Sequence, residues 1–213
     1  MSGRSEIALS PGGVVLAYRA SDQPDPGSPI AVGLIGPRPV RAAVAGEPYL
    51  FVLLAARLAW SGVHLTVVTH RRSVWEPALK WIESDRLALG TDAAGWPGPS
   101  TPVPRALVVD IPEPPPVRGL DLGPWTSVVH VSADLPGRPD WWQAADVLVI
   151  GAPGYGAAVQ AVRPDRGDID AGAVDRVAAP QLAIIGATVE IGSLMPTYAE
   201  AELAQEVRRA ARA

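Results

Sequence analysis

Residues 40–69 read VRAAVAGEPYLFVLLAARLAWSGVHLTVVT, which is the pattern of a strand, a helix and a second strand. The first six residues form an apolar run, and the turn Gly46-Glu47-Pro48 then opens a helix. Proline suits the first helical position, and Glu47 places negative charge at the positive end of the helix. Leucines at helical spacing continue the helix until Gly62, and a second apolar run follows. This alternation predicts a unit of parallel sheet.

The alternation of predicted strands and helices continues on both sides of this unit. The run from Arg105 to Asp110 is continuously apolar apart from its ends, as in strands that are buried on both faces of a parallel sheet. Further strands are predicted at 30–35 (adjacent to the strand at 40–45), 127–131, 147–150, 174–178 and 182–188, and further helices at 73–82, 155–162 and 197–212. We therefore predict an α/β fold of the Rossmann-like type, with a largely parallel central sheet of about five to seven strands and helices on both faces.

One α/β domain with a small N-terminal appendage is expected. Residues 7–10 and 14–18 flank the turn Pro11-Gly12-Gly13 and predict a small β-hairpin, and the proline-rich residues 21–29 predict a linker. We expect residues 1–29 to form this hairpin and linker, and residues 30–213 to form a single α/β domain.

Composition excludes several classes of function. The chain has 18 basic and 22 acidic residues without a block of like charge, so neither nucleic acid nor direct membrane insertion is expected. It has no cysteine, and its three histidines lack metal-ligand spacing, so no metal or cofactor is expected. There is no signal peptide, and the longest apolar run is shorter than the about 20 residues of a membrane span. We expect a cytoplasmic location, or recruitment to the inner face of the cell membrane by a partner.

A glycine-rich loop at 151–158, Gly-Ala-Pro-Gly-Tyr-Gly-Ala-Ala, follows an apolar strand and has the glycine spacing of a phosphate-binding loop. Ala157 and Ala158 stand where the lysine and the hydroxyl residue of that loop belong. Two interpretations remain open: phosphate binding by backbone N–H groups alone, or a sharp turn made possible by the glycines Gly151, Gly154 and Gly156. Phosphoryl transfer is disfavoured in either case.

Acidic residues offer two further candidate sites. Asp110 resembles the acid that holds Mg²⁺ in P-loop ATPases, and Glu113 lies close by, but this strand precedes the glycine-rich loop in the chain. The sequence Asp168-Ile169-Asp170 fits the D-x-D pattern of some glycosyltransferases. The alternatives are a polar strand end and a solvated loop.

Histidine, arginine and tryptophan residues complete the candidates. His64 and His130 lie in apolar strands and are predicted to be packing residues, whereas His70-Arg71-Arg72-Ser73 is a candidate phosphate contact, with Ser73 capping the next helix. Seven tryptophans against one phenylalanine, several of them near Pro/Gly-rich segments, favour contacts with a protein partner. The tryptophans considered are Trp75, Trp81, Trp96, Trp125, Trp141 and Trp142.

The order of segments over about residues 30–190 resembles the cytosolic domain of EccE, a component of the actinobacterial type VII (ESX) secretion apparatus. The resemblance rests on Gly33 to Pro37, the unit at 40–69, His70-Arg71-Arg72 with Trp75, and the later segments at 142–149 and 174–188. It implies a degenerate glycosyltransferase-like fold packed against other translocon proteins. EccE proteins begin with transmembrane helices and this chain does not, so it is expected to be a standalone paralogue, a soluble accessory protein or a fragment.

These patterns lead to one expected function and two alternatives. The expectation is a non-catalytic structural or scaffolding protein related to the type VII apparatus, with protein partners and no catalytic, cofactor-binding or metal residues. The first alternative is a nucleotide or nucleotide-sugar binding enzyme, glycosyltransferase-like, that uses the glycine-rich loop 151–156 with Asp110 or the Asp168/Asp170 pair. The second is a regulatory partner of an ATPase.

Overall fold

The structure is a computed structural model that describes residues 13–20, 27–93, 96, 103–116, 122–133 and 139–212. Its strands are β1 (Val14–Tyr18), β2 (Pro29–Val32), β3 (Val40–Ala45), β4 (His64–Thr69), β5 (Leu87–Gly90), β6 (Arg105–Asp110), β7 (Thr126–Ser132), β8 (Val147–Ile150), β9 (Gln181–Ile185) and β10 (Val189–Ser193). Its helices are α1 (Pro48–Trp60), α2 (Arg72–Trp81), α3 (Asp140–Ala144), α4 (Gly156–Val162), α5 (Ala171–Asp175) and α6 (Tyr198–Ala210). None of the helices among these residues is long and apolar enough to cross a membrane.

The described strands form one mixed sheet in the order β2-β1-β10-β9-β8-β3-β7-β6-β4-β5. The strands from β8 to β5 run parallel to one another, which confirms the predicted parallel centre. The other strands, from β9 to β2, are added by antiparallel pairings. The central strand is β3, which has parallel neighbours on both sides.

Helices cover both faces of the sheet, as predicted. Side chains alternate along a strand, so Ala42 and Val44 of β3 pack into one core cluster, whereas Ala43 and Ala45 pack into another. The first cluster contains residues of α1, α2 and α6, and the second contains residues of α3, α4 and α5. The helices that follow β3 and β4 therefore lie on one face of the sheet and those that follow β7 and β8 lie on the other, as in doubly wound folds.

Helix α1 is buried along nearly its whole length, from Tyr49 to Ala59. It packs against the sheet as well as against α2 and α6, which explains why apolar residues surround its axis. Its boundaries follow the sequence, with Pro48 in the first turn and a positive φ of 90° at Gly62 just beyond its end.

One charged side chain lies inside this apolar layer. The Arg57 guanidinium donates from Nε to Glu200 Oε1 at 2.5 Å and from Nη2 to Glu200 Oε2 at 3.1 Å. It also donates to the carbonyl oxygens of Val15, Leu16 and Met195. Glu200 in turn accepts from the Thr197 backbone N–H within the capping box that starts α6. This pair fixes both β1 and α6 to α1.

The Arg57–Glu200 pair predicts a pH dependence of stability. Burial alone raises the pKa of Glu200, but the hydrogen bonds and charge of Arg57, with the bonds from Thr197, outweigh burial and hold the pKa below its ordinary value. A carboxyl group whose folded-state pKa is depressed stabilises the protein above its unfolded pKa, and this contribution is lost as the pH falls through the folded pKa. We expect Glu200→Gln to flatten the fall of the unfolding free energy below about pH 5. Urea titrations at several pH values measure this slope, and equal slopes in both proteins would refute the prediction.

Several predicted elements are wrong or missing. The strand expected at 174–178 is instead the end of α5 and a loop, and β5, β10 and α3 were not expected. The strands at 30–35 and 40–45 are not adjacent, because β2 pairs with β1 while β3 lies between β7 and β8. The hairpin partner at 7–10 lies outside the described residues. The division between residues 1–29 and 30–213 stays a prediction.

The tryptophans are mostly core residues rather than exposed contacts. Trp75, Trp141 and Trp142 are at most 1% exposed. Trp141 donates its indole N–H to Ala42 O at 3.1 Å, which satisfies its polar atom inside the core. Trp125, at 46% exposed, is the one large indole surface among the described residues. The tryptophan count is therefore no argument for a partner surface.

Candidate nucleotide site at the carboxyl edge of the sheet

The carboxyl ends of the parallel strands meet at one edge of the sheet, which is where α/β proteins bind ligands. Six segments of the described residues reach this edge: the β3–α1 connection, the end of β4 with the start of α2, the end of β5, the end of β6, the end of β7, and the loop after β8. We call the following set the carboxyl-edge site: Gly46, Glu47, Thr69, Arg71, Asp110 and Ser132.

The crevice between β3 and β8 is filled by close backbone packing. Gly151 N donates to Ala45 O at 2.7 Å, and a Cβ added at Gly46 would lie 3.4 Å from the Gly151 Cα. A Cβ added at Gly151 would lie 2.6 Å from Leu50 Cδ2. Glycine at both positions lets the two connections touch, so this crevice has no space for a phosphate.

The glycine-rich loop at 151–156 is occupied by the chain itself. Gly156 N donates to Asp175 Oδ1 at 2.5 Å, and Gly154 N donates to Asp175 O at 3.3 Å. A carboxylate from α5 thus takes the place at the start of α4 where an anion would bind. The structure favours the turn interpretation of this loop.

Asp110, at the end of β6, is the buried acid of the carboxyl-edge site and is 3% exposed. Its Oδ2 accepts from Thr69 Oγ1 at 2.8 Å and from Trp75 Nε1 at 2.7 Å. Arg71 donates from Nε to Oδ2 at 3.3 Å and from Nη2 to Oδ1. The β4–β6 register, which pairs Thr69 with Asp110, brings these groups together.

The phosphate loop of P-loop NTPases joins a strand to its following helix, and the acid follows a later strand. In this chain the β3–α1 connection comes before Asp110, which ends the later strand β6. The counterpart of the phosphate loop is therefore the β3–α1 connection and not the glycine-rich loop at 151–156. The β3–α1 connection is short, however, because only Gly46 and Glu47 separate the two elements. Gly46 N donates to Ser132 O at 3.2 Å, and Glu47 Oε2 lies 3.8 Å from Arg208 Nε. No lysine stands at this connection.

The remaining acidic candidates are engaged in local structure. Asp168 pairs with Arg166, whose hydrogen bond holds the pKa of Asp168 below its usual range. Asp170 caps α5 by accepting from Ala173 N at 3.0 Å. Glu113 is exposed in the segment after β6. Within the described part of the chain, no group of three or more His, Asp or Glu residues could hold a metal ion.

The histidines lie outside the carboxyl-edge site, and one residue of the 70–73 segment belongs to it. His130 is fully buried, with Nε2 at 3.1 Å from Ile111 O, and burial lowers its pKa. His64 is half-buried and His70 is exposed. Of the 70–73 segment, only Arg71 joins the site. It, rather than Ser73, is the N-cap residue of α2.

No protein-family model and no curated protein matches this chain. Among solved structures, the pCW3 conjugation coupling protein TcpA with ATPgS superposes with a TM-score of 0.57 at 9% identity, covering 98% of this chain and 75% of that chain. The genome packaging NTPase B204 from Sulfolobus turreted icosahedral virus 2, in complex with ATP-gammaS, gives 0.51 at 10% identity, covering 74% of this chain and 98% of that chain. The chain therefore has an α/β fold that resembles NTPase domains.

The cytoplasmic domain of the Thermomonospora curvata Type VII Secretion ATPase EccC gives a TM-score of 0.49 at 12% identity, covering 92% of this chain and 27% of that chain. None of these three structures is an EccE protein, so the resemblance to EccE stays a prediction.

The likeness to nucleotide-binding NTPases overturns two expectations. The prediction of a non-catalytic scaffold, and with it the prediction that the chain is not an enzyme, is contradicted by this fold. The two expectations depended on the glycine-rich loop, where Ala157 and Ala158 of α4 replace the lysine and the hydroxyl residue of a phosphate loop. Helix α4 follows β8, however, whereas the helix that follows the central strand β3 is α1. The alternative of a nucleotide-binding protein agrees better with the fold.

Proposed function

We propose that this chain is a nucleotide-binding domain and that the nucleotide phosphates contact Arg71 at the carboxyl-edge site. The observation that supports this most is the buried Asp110, which holds the Arg71 guanidinium at the carboxyl ends of β4 and β6. The Arg71 side chain is 39% exposed, so the guanidinium is held by the buried Asp110 carboxylate and is also accessible to solvent. Arginine in such a position suits the planar geometry of phosphate oxygens.

Calorimetric titration with ATP, ADP, AMP and a UDP-sugar tests this proposal. We expect at least one of these nucleotides to bind, and Arg71→Ala to weaken that binding by about tenfold or more, because a charge-assisted hydrogen bond contributes about 1.5–3 kcal/mol. Phosphate release from bound ATP, measured in the same samples, tests whether binding leads to hydrolysis.

The adjacent Arg72 provides a matched control. Its side chain is 65% exposed, and its one ion pair among the described residues is with Glu76 of its own helix, at 3.5 Å. We expect Arg72→Ala to bind nucleotide as the unmodified protein does. Equal losses in the two variants, or no binding by any of the four nucleotides, would contradict the proposal. Asp175→Ala tests the glycine-rich loop separately, because tighter binding in that variant would place the phosphate at α4.

Two narrower predictions remain proposals within this function. The pattern resemblance to EccE supports association with subunits of a type VII secretion apparatus at the inner face of the cell membrane. Cross-linking in cells of an actinobacterium that encodes this chain, followed by identification of the linked proteins, tests that association. The glycosyltransferase-like alternative predicts that the UDP-sugar binds more tightly than ATP.

A further inference from the structure

This inference rests on the proposed nucleotide site and concerns its metal requirement. NTPases of this general fold hold Mg²⁺ with an acid at a strand end and a hydroxyl from the phosphate loop. Mg²⁺ requires near-octahedral oxygen ligands at about 2.0–2.1 Å and is usually bound by one or two carboxylates together with substrate phosphates. Asp110 is the residue whose position invites comparison with that acid.

The carboxylate of Asp110 is buried and already neutralised. Its Oδ2 accepts from the Thr69 hydroxyl, the Trp75 indole N–H and Nε of Arg71, and its Oδ1 accepts from Nη2 of Arg71. The Asp110 side chain is 2% exposed, and the Arg71 guanidinium balances its charge. A cation bound to this carboxylate would have to compete with that guanidinium.

The β3–α1 connection offers no hydroxyl ligand, and its one carboxylate, Glu47, lies 3.8 Å from Arg208 Nε. The residues there are Gly46, Glu47, Pro48 and Tyr49, and the Tyr49 ring is covered by the Arg208 guanidinium at 3.9 Å. The next residues of α1, Leu50 and Phe51, are apolar and buried. The hydroxyl that completes a Mg²⁺ site in P-loop NTPases has no counterpart here, so these residues do not fit the metal.

We infer that the Arg71 guanidinium stands in place of the divalent cation, and that the site binds phosphate groups that carry no metal. Two of the Arg71 N–H groups are engaged with Asp110, and Nη1 has no hydrogen-bond partner among the residues that the structure describes. The ligand class is a metal-free nucleotide, because Mg²⁺ would neutralise the oxygens that this donor would otherwise contact.

Manganese binding tests the inference without any nucleotide. Electron paramagnetic resonance counts Mn²⁺ ions bound to the unmodified protein, to Arg71→Ala, and to the Arg71→Ala/Asp110→Asn double variant. We expect no stoichiometric Mn²⁺ in the unmodified protein and only weak Mn²⁺ binding in Arg71→Ala, because Asp110 then offers one free carboxylate without a hydroxyl ligand from the β3–α1 connection. This weak binding should disappear in the double variant. Arg71→Lys, which restores a cation, should again exclude Mn²⁺. Stoichiometric Mn²⁺ in the unmodified protein that Asp110→Asn removes would overturn the inference.

A second arm uses ADP and ATP on the unmodified protein, so it does not depend on whether a variant folds. We expect affinity in excess Mg²⁺ to be equal to or weaker than affinity in EDTA, and tightening by Mg²⁺ of about tenfold or more would overturn the inference. The experiments distinguish failure of the proposed nucleotide binding from failure of the metal-free site. Exclusion of Mn²⁺ without nucleotide binding would refute the proposed function alone, whereas nucleotide binding that Mg²⁺ strengthens would refute the metal-free site alone.

Discussion

Replacing Arg57 with methionine is expected to lower the free energy of unfolding by about 3–5 kcal/mol, because it leaves a buried carboxylate without its partner. The Glu200 side chain is 4% exposed, so water cannot replace the lost guanidinium. The carbonyl oxygens of Val15, Leu16 and Met195 lose a donor at the same time. Urea unfolding should show a lower midpoint with an unchanged slope if the native fold persists.

The surface pair Lys80–Glu206 is the control for this result. The Lys80 side chain is 71% exposed, and exposed ion pairs contribute about 0–1 kcal/mol. We expect Lys80→Met to change the midpoint little, and the double variant Arg57→Met/Glu200→Leu to regain part of the loss because no unpaired charge remains. Similar losses in Arg57→Met and Lys80→Met would show that burial of the pair has no special effect.

Replacing Gly156 with alanine is expected to destabilise the fold by about 2–4 kcal/mol. The added Cβ would lie 2.1 Å from Ala171 O and 2.8 Å from Asp175 Cγ, so α4 and α5 would have to separate. Helix propensity alone predicts the opposite sign, since alanine is favoured over glycine in helices by about 1 kcal/mol. A measured loss therefore reports the contact rather than the backbone preference.

Gly167→Ala is the matched control, because a Cβ at that position meets nothing within 4 Å. Thermal unfolding of the two variants beside the unmodified protein separates the effects. We expect Gly167→Ala to unfold close to the unmodified protein and Gly156→Ala well below it. A Gly156→Ala protein as stable as Gly167→Ala would mean that α4 and α5 do not pack as closely as described.

The sequence predicts the parallel centre of the sheet well. Strands β3, β6, β7 and β8 are short apolar runs buried on both faces, and such runs are recognisable without any tertiary information. Helix α1 is equally clear because its start and end depend on Pro48 and Gly62, whose backbone preferences act locally.

The antiparallel half of the sheet is harder to predict from the sequence, because its strands have irregular burial patterns. Strand β10 contains Gly192 and has a largely half-exposed pattern, so neither alternation nor a continuous apolar run identifies it. On the parallel side, β5 was not expected either, because it has only four residues. The pairing of β1 with β10 joins segments from opposite ends of the chain, and no local pattern predicts such a contact.

The carboxyl-edge site likewise depends on contacts that no local sequence pattern predicts. Asp110 is a candidate from sequence because an acid ends an apolar strand, but the three residues that surround it come from β4 and α2. Only the β4–β6 register brings them near. The loop at 151–156 has two possible interpretations in the sequence for a related reason. Glycine spacing is the same in a phosphate loop and in a tight turn, and the carboxylate that distinguishes them, Asp175, arrives from a later helix.

The sheet order also has a consequence for synthesis on the ribosome. Strand β1 is made before β10 and α6, yet it joins the sheet through β10, and Arg57 finds its carboxylate in α6. Until β10 and α6 emerge, the nascent chain holds an unpaired cation in α1 and a β1–β2 pair that has not joined the sheet. We expect the parallel centre to form first and this domain to close only after α6 has left the ribosome.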